Sequence, residues 1–145
     1  MTFDDAAFED LLADITEPFL TGDYARWRNR LRLPCTFVTQ AGPITLASED
    51  DVERSFAMYQ MAVRSMGLAH VHHKPLHFDP CPDGTIIITY ETNILRRDGS
   101  RIMPPYTASA LVHPDDGTWR LSSIMNAMGH HHWTGTHPFL SGDQE

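Results

Sequence analysis

The sequence predicts an α+β domain in which a cone-shaped, curved antiparallel sheet, a hairpin plus a four-strand meander, packs against three helices in the N-terminal half. Three observations predict this class. Apolar residues recur at helical spacing in three segments before residue 68, the period changes to two from residue 68 onward, and short turn sequences separate the later runs. The 145 residues, 41% of them hydrophobic, fit a single domain, expected over residues 1–133 with a loose tail at 134–145.

The first helix is predicted over residues 4–20, where apolar side chains fall on one face. Pro18 should kink or end this helix, because proline removes a backbone donor and clashes one turn back. Gly22 suits a helix stop, and Asp23 suits the N-cap of a short second helix that Pro34 closes. The apolar side of that second helix consists of Tyr24, Trp27 and Leu31.

A hairpin and the clearest helix of the chain follow. The runs CTFVTQ and PITLAS, separated by Ala41 and Gly42, are β-leaning and predict the hairpin. Ser48 followed three residues later by Asp51 is typical of a capping box that starts a helix. Gly67 should end this third helix. Its apolar stripe, at alternating intervals of four and three, is Val52, Phe56, Tyr59, Val63 and Met66.

The meander is predicted as four strands at residues 68–78, 85–97, 101–113 and 118–128. The turns between them, DPCPDG, RDGS and PDDG, are short, so neighbouring strands must be antiparallel. A three-residue loop, Asp98-Gly99-Ser100, brings the more apolar faces of the second and third strands to the same side.

This register predicts which side chains line the concave face. The first strand contributes His70, His72, Leu76 and Phe78, and the last contributes Trp119, Leu121, Ser123 and Met125. One transverse row then reads His72, Thr92, Tyr106, Met125. Glu91 falls on the opposite face, where we expect it to pair with an arginine across a dimer interface; a slip of one residue would instead make it a base in the pocket.

The order of elements, together with FLTGDYARW, SEDDVERSF and DGTWRLSS, resembles the nuclear-transport-factor-2-like superfamily over roughly residues 5–130. This SnoaL-like cone is shared by polyketide cyclases, ketosteroid isomerases and scytalone dehydratase. The resemblance implies a pocket inside the cone. Scytalone dehydratase and many SnoaL-like proteins carry a histidine near the start of the strand after the third helix, and His70 occupies the matching position here. The Tyr-Asp pair of the dehydratase is replaced by Phe19 and Leu20, and the first hairpin lacks the carboxylate base of an isomerase.

The predicted function is the binding of a small, largely apolar, aromatic or polyketide-like molecule in the cone. If turnover occurs, it should be cofactor-free proton transfer (isomerisation, dehydration or cyclisation) carried by His70 and Tyr106, with neither metal nor cofactor. The residues expected to contact the ligand are Trp27, Phe37, Tyr59, His72, Tyr90, Thr92 and Met125. The alternative is a non-catalytic dimerisation or interaction module whose cone is filled by its own side chains.

Histidine spacing, net charge and hydropathy limit the classes of partner that the protein is expected to bind. His70 and His72 could reach one metal ion, but no convincing further ligand is present in the sequence, and we interpret the run His130–His132 as a polar strand end. A net charge of −8 has the wrong sign for a phosphate-binding surface, and no apolar run reaches the ~18–20 residues of a membrane span. We expect a cytoplasmic homodimer, paired through the outer sheet face, with Cys35 and Cys81 reduced and inert.

Overall fold

The computed structural model describes residues 2–39 and 42–126 and confirms the α+β class. The helices are α1 (Asp5–Thr16), α2 (Pro18–Thr21), α3 (Tyr24–Arg28) and α4 (Glu49–Met66). The strands are β1 (Leu31–Thr39), β2 (Gly42–Leu46), β3 (Leu68–Pro80), β4 (Ile86–Arg96), β5 (Tyr106–Asp115) and β6 (Thr118–Asn126). The expected tail at 134–145 and the run His130–His132 lie outside the described residues.

The N-terminal helices begin and end where the capping residues stand. The Asp4 carboxylate accepts a hydrogen bond from the Ala7 backbone N–H at 2.9 Å and caps α1. The helix predicted over 4–20 divides at Pro18, which opens the one-turn α2. Gly22, at φ 83°, ends α2 in the left-handed conformation that glycine adopts readily. The second predicted helix was too long, because α3 stops at Arg28 and Leu31 already begins β1.

Helix α4 has the predicted ends. The Ser48 hydroxyl accepts from the Asp51 N–H, and the Asp51 carboxylate accepts from the Ser48 N–H, each at 3.2 Å. This reciprocal capping box satisfies two backbone donors of the first turn. Gly67 ends the helix with φ 69°. The stripe of Val52, Phe56 and Val63 is buried and fixes the side of α4 that faces the sheet.

The six strands form one curved sheet in the order β2-β1-β6-β5-β4-β3. The hairpin β1–β2 and the meander β3–β6 are antiparallel, as predicted. β1 and β6 pair in parallel and join the hairpin to the meander. The core lies between the concave face and the helices, and its largest fully buried side chains include Trp27, Phe8, Leu11, Leu12 and Ile88.

The predicted register of β4 and β5 is confirmed. Thr92 pairs with Tyr106, and Tyr90 pairs with Ala108, so both apolar faces point to the helices. On β3 the predicted register is confirmed at Phe78, which pairs with the buried Ile88, but it is wrong at Leu76, which is exposed, and at His70 and His72. Ala69 and Leu76 interrupt the pairing as bulges, and His73 pairs with Thr92.

The shift on β3 moves His70 and His72 to the outer face, where both are exposed. A similar irregularity affects β6, where Leu111 pairs with Ser123 but Val112 pairs with Leu121. Past this bulge Met125 points outward and is 59% exposed, so its predicted position on the inner face was also wrong. A bulge inserts one residue and exchanges the two faces of the strand beyond it.

In the part of the chain that the structure describes, no helix combines the length and the apolar character needed to cross a bilayer.

Candidate ligand-binding cavity

A cavity of about 150 Å³ lies between the concave sheet and the helices. Its helical wall includes Leu12, Ile15, Phe19, Trp27, Ala62 and Val63. Its apolar sheet wall includes Leu31, Phe37, Val71, Ile94, Leu121 and Ile124. The predominance of apolar side chains on both walls is typical of pockets for small organic molecules.

Aromatic rings stiffen the helical wall. Phe19 contacts Trp27, Phe56 and Tyr59, with ring centroids 5.5, 5.4 and 5.6 Å apart. Phe37 of β1 reaches Tyr59 from the sheet at 5.9 Å. These tilted arrangements lie within the range favoured by aromatic pairs. The ring contacts therefore connect the helical wall to the sheet and stabilise it.

Polar groups lie together on one part of the sheet wall. His73, Thr92 and Tyr106 form a transverse row on β3, β4 and β5, because Thr92 pairs with His73 on one side and with Tyr106 on the other. Thr92 and Tyr106 lie directly opposite each other on neighbouring strands, and the Thr92 hydroxyl acts to lower the pKa of Tyr106. The His73 ring packs edge-on against Tyr90 at 5.5 Å. We call His73, Thr92 and Tyr106 the polar row.

The ionisable groups of the cavity are neutral near pH 7. Burial, together with a smaller electrostatic contribution from the adjacent His72, lowers the pKa of His73 to about 4. Burial raises the pKa of Tyr106 to about 12, against the smaller, opposite effect of the neighbouring Thr92 side chain. Burial likewise raises the pKa of Tyr59 to about 12. Among the described lining residues there is no Asp, Glu, Lys or Arg.

Six of the predicted site residues line the cavity: Trp27, Phe37, Tyr59, Tyr90, Thr92 and Tyr106. Their contact with a ligand stays a prediction. His70, His72 and Met125 lie outside the lining, on the outer sheet face. Sequence reasoning missed His73 and Asn126, which both line the cavity. The run of histidines at 70–73 indicated that an imidazole faces inward, and the bulges decided which one.

The outer face of β3 and β4 carries the other polar candidates. In the strand register Glu91 lies opposite Lys74 of β3 and Thr107 of β5. It is outside the cavity lining, on the sheet face predicted from the sequence. His70 and His72 share this face, but no cluster of three His, Cys, Asp or Glu residues suited to a metal ion occurs within residues 2–39 and 42–126. Cys35 is fully buried in β1, and burial raises the pKa of its thiol to about 12.

A second, open depression near α3 is polar but internally paired. The Arg28 guanidinium contacts the Glu49 carboxylate at 2.5 Å, and the Tyr24 hydroxyl donates to the same carboxylate at 3.4 Å. Arg120 donates to the Asn29 carbonyl at 2.8 Å. These contacts tie α3 to α4 and β6, so we interpret the depression as structural.

The chain matches one family model and many solved structures. The model described as NTF2-like protein (DUF6841) matches residues 4–128. No curated protein matches the chain. An NTF2-like protein of unknown function from Shewanella oneidensis MR-1 has 11% identity and a TM-score of 0.65, with 85% of this chain and 98% of that chain covered.

Two further structures have the same fold. One is a domain of unknown function with a cystatin-like fold from Nostoc punctiforme PCC 73102, at 12% identity and a TM-score of 0.65, covering 88% of this chain and 78% of that one. The other is a candidate ketosteroid isomerase from Shewanella frigidimarina NCIMB 400, at 12% identity and a TM-score of 0.61, covering 85% and 96%. At these identities the similarity shows the fold alone.

Proposed function

The chain belongs to the NTF2-like protein family DUF6841, and on that premise we propose that its cone binds one small, largely apolar molecule. The observation that carries this proposal is the cavity of about 150 Å³ with its mostly apolar lining. An apolar cavity of this volume in another protein accommodates a ligand the size of benzene. The expected ligand is therefore about one ring in size.

The lining supports binding better than acid–base turnover. General acid–base catalysis near neutral pH works best with a group whose pKa is close to 7. His73 is the imidazole in the cavity, and with a pKa of about 4 it is a weak base. His70, the catalyst that the sequence indicated, lies on the outer face. Because the described lining contains no carboxylate, proton abstraction has no strong base there.

Titration with toluene, followed by NMR or calorimetry, tests the proposal. The substitution Ala62→Phe places a ring in the cavity lining of α4 and should weaken toluene binding at least tenfold. The matched control is Ala57→Phe, which adds the same ring to an exposed position on the same helix and should leave the affinity unchanged. Equal toluene affinity in the Ala62→Phe variant and the original protein, or no binding of either toluene or p-cresol, would contradict the proposal.

We also propose that two copies pair through the outer sheet face. Met125 and Ile87 lie on this face and are 59% and 42% exposed. The neighbouring Thr107, Ser109 and Glu91 supply polar groups able to form hydrogen bonds with a second copy. Exposed apolar side chains among polar ones are typical of a protein–protein interface. An interaction module with a filled cone remains the alternative function, and the cavity favours ligand binding over it.

A further inference from the structure

The polar row narrows the class of ligand, and the following inference rests on the proposed function. Apart from the polar row, the polar side chains on the sheet wall of the cavity are those of Tyr90 and Asn126, and the rest of this wall is apolar. Any polar group of a ligand that enters the cavity loses its hydration and must find a partner there. His73, Thr92 and Tyr106 lie side by side on adjacent strands and can supply that partner.

Thr92 and Tyr106 together keep one donor for a ligand. Each hydroxyl carries one proton, and because the two residues lie opposite each other, a hydrogen bond between their side chains would use only one of the two protons. Whichever hydroxyl donates in that bond, the other keeps an O–H that can turn towards the cavity. Thr92 is 3% exposed, so water from outside the cavity does not compete freely for this donor.

His73 supplies the complementary acceptor. Its side chain forms no hydrogen bond within residues 2–39 and 42–126; its ring packs edge-on against Tyr90. A neutral imidazole has one N–H donor and one nitrogen acceptor. His73 and Tyr106 flank Thr92 on adjacent strands, so a ligand atom above Thr92 is approached from both sides.

We infer that the polar row selects a neutral ring that carries a hydroxyl group, a phenol or a small cyclic alcohol, over a carboxylate of the same shape. A ligand hydroxyl donates to the His73 nitrogen and accepts from the Thr92–Tyr106 pair, which matches one acceptor with one donor. A carboxylate has no proton to donate and meets no cation in the described lining, so its desolvation is not compensated.

Three ligands of similar shape test the inference by calorimetry at pH 7.5: p-cresol, toluene and 4-methylbenzoate. p-Cresol, which is the phenol of a tyrosine side chain, is neutral at this pH because its pKa is about 10. It should bind at least tenfold more tightly than toluene, and 4-methylbenzoate should bind at least tenfold more weakly than p-cresol. A site built to hydrogen-bond a hydroxyl rejects an analogue that lacks it.

Substitutions assign the preference to the polar row. Thr92→Val keeps the side-chain shape, Tyr106→Phe keeps the ring, and His73→Phe removes the acceptor. His73→Phe, and Thr92→Val combined with Tyr106→Phe, should each reduce p-cresol affinity to within threefold of toluene affinity, because a single remaining hydroxyl still has a proton to donate. Unchanged toluene affinity in the same variants shows that each cavity is folded. The matched control, His72→Phe on the exposed outer face, should keep the full preference for p-cresol.

The outcomes separate the inference from the function on which it rests. If toluene and p-cresol both fail to bind, the proposed function is overturned. If toluene binds but p-cresol binds no more tightly, or if 4-methylbenzoate binds as tightly as p-cresol, the cavity function stands and the selection by the polar row is overturned. A preference for p-cresol that survives all three substitutions also overturns the assignment to these residues.

Discussion

At the scale of single residues, the burial of His73 makes the stability of the domain depend on pH. Above pH 6.5 the imidazole is neutral in the folded and the unfolded chain, and its ionisation contributes nothing. Between pH 6.5 and about 4 the unfolded chain binds a proton that folded His73 does not. Stability is therefore lost as the pH falls through this interval.

Urea denaturation of the original protein and of His73→Gln checks this dependence. Between pH 7.5 and 4.5 the original protein should lose more unfolding free energy than the variant, by on the order of 1–3 kcal/mol. Both proteins contain the same carboxylates, so the contribution of those carboxylates cancels when the two changes in unfolding free energy are subtracted. An NMR titration offers an independent check, since the imidazole signals of His73 should keep their neutral positions down to pH 5. A midpoint near 6.5 for His73 would contradict the prediction.

The sequence led us to expect two inert thiols, but the structure predicts that the two cysteines differ in reactivity towards a thiol reagent. Cys35 is 0% exposed and burial raises the pKa of its thiol to about 12, whereas Cys81 lies partly exposed after β3. The thiolate is the reactive form, so folded protein at pH 8 should react once, at Cys81, and unfolded protein twice. The number of modified thiols can be counted by mass spectrometry. Cys81→Ser is the control: it retains only Cys35 and should not react while it is folded. Rapid labelling of Cys35 in that control would contradict it.

Residue positions were predictable where neighbouring positions on a strand differ in polarity. On β4 the inner residues Ile88, Tyr90 and Ile94 alternate with Thr89, Glu91 and Asn93, and the predicted face is the observed one. On β3 the sequence HVHHK places a histidine on either face, so polarity does not determine the register. The identity of the inward imidazole therefore could not be derived from local sequence.

At the scale of elements, the capping box should contribute measurably to the stability of α4. Ser48→Ala removes the hydroxyl that accepts from the Asp51 N–H. Loss of such an N-cap costs about 0.5–2 kcal/mol, and we expect this decrease in the free energy of unfolding. Ser65→Ala, an exposed substitution near the other end of the same helix, is the matched control and should have little effect, because alanine favours helix. Equal urea midpoints for Ser48→Ala and the original protein would contradict a role for the cap.

Helix boundaries were predictable because they depend on local chemistry. Pro18 divides the first helix, and Ser48 and Gly67 bound α4, as the sequence indicates. Strand irregularities were not predictable in this way. The bulges at Ala69, Leu76 and on β6 depend on pairing with strands elsewhere in the chain, and each bulge exchanges the inner and outer faces beyond it.

At the scale of the whole molecule, the proposed pairing of two copies predicts the mass in solution. Sedimentation at micromolar concentration should give a species of twice 16.4 kDa. Met125→Lys introduces a charge on the outer face and should shift this species towards the monomer, because burying an unpaired charge in an interface is costly. Met61→Lys, at a side chain 68% exposed on α4, is the control and should leave the dimer intact. A monomer in the original protein would reject the pairing.

The architecture was predictable from the order of elements, since helices followed by a meander leave few arrangements for the apolar faces. The parallel pairing of β1 with β6 was not predicted. It joins residues that lie far apart in the chain, and no pattern within either strand indicates the partner. The cavity follows from the whole arrangement, because its lining is drawn from both ends of the described chain, from Leu12 to Asn126.

The joint between β1 and β6 has a consequence for how the protein is made. The Leu121 N–H donates to the Arg30 carbonyl at 2.9 Å, and the Arg30 guanidinium donates to the Trp119 carbonyl at 3.0 Å. During synthesis, the edge of β1 that pairs with β6 therefore has no neighbour in the sheet until more than half of the chain has been translated after it. Until β6 leaves the ribosome, that exposed edge is a surface for chaperones to shield.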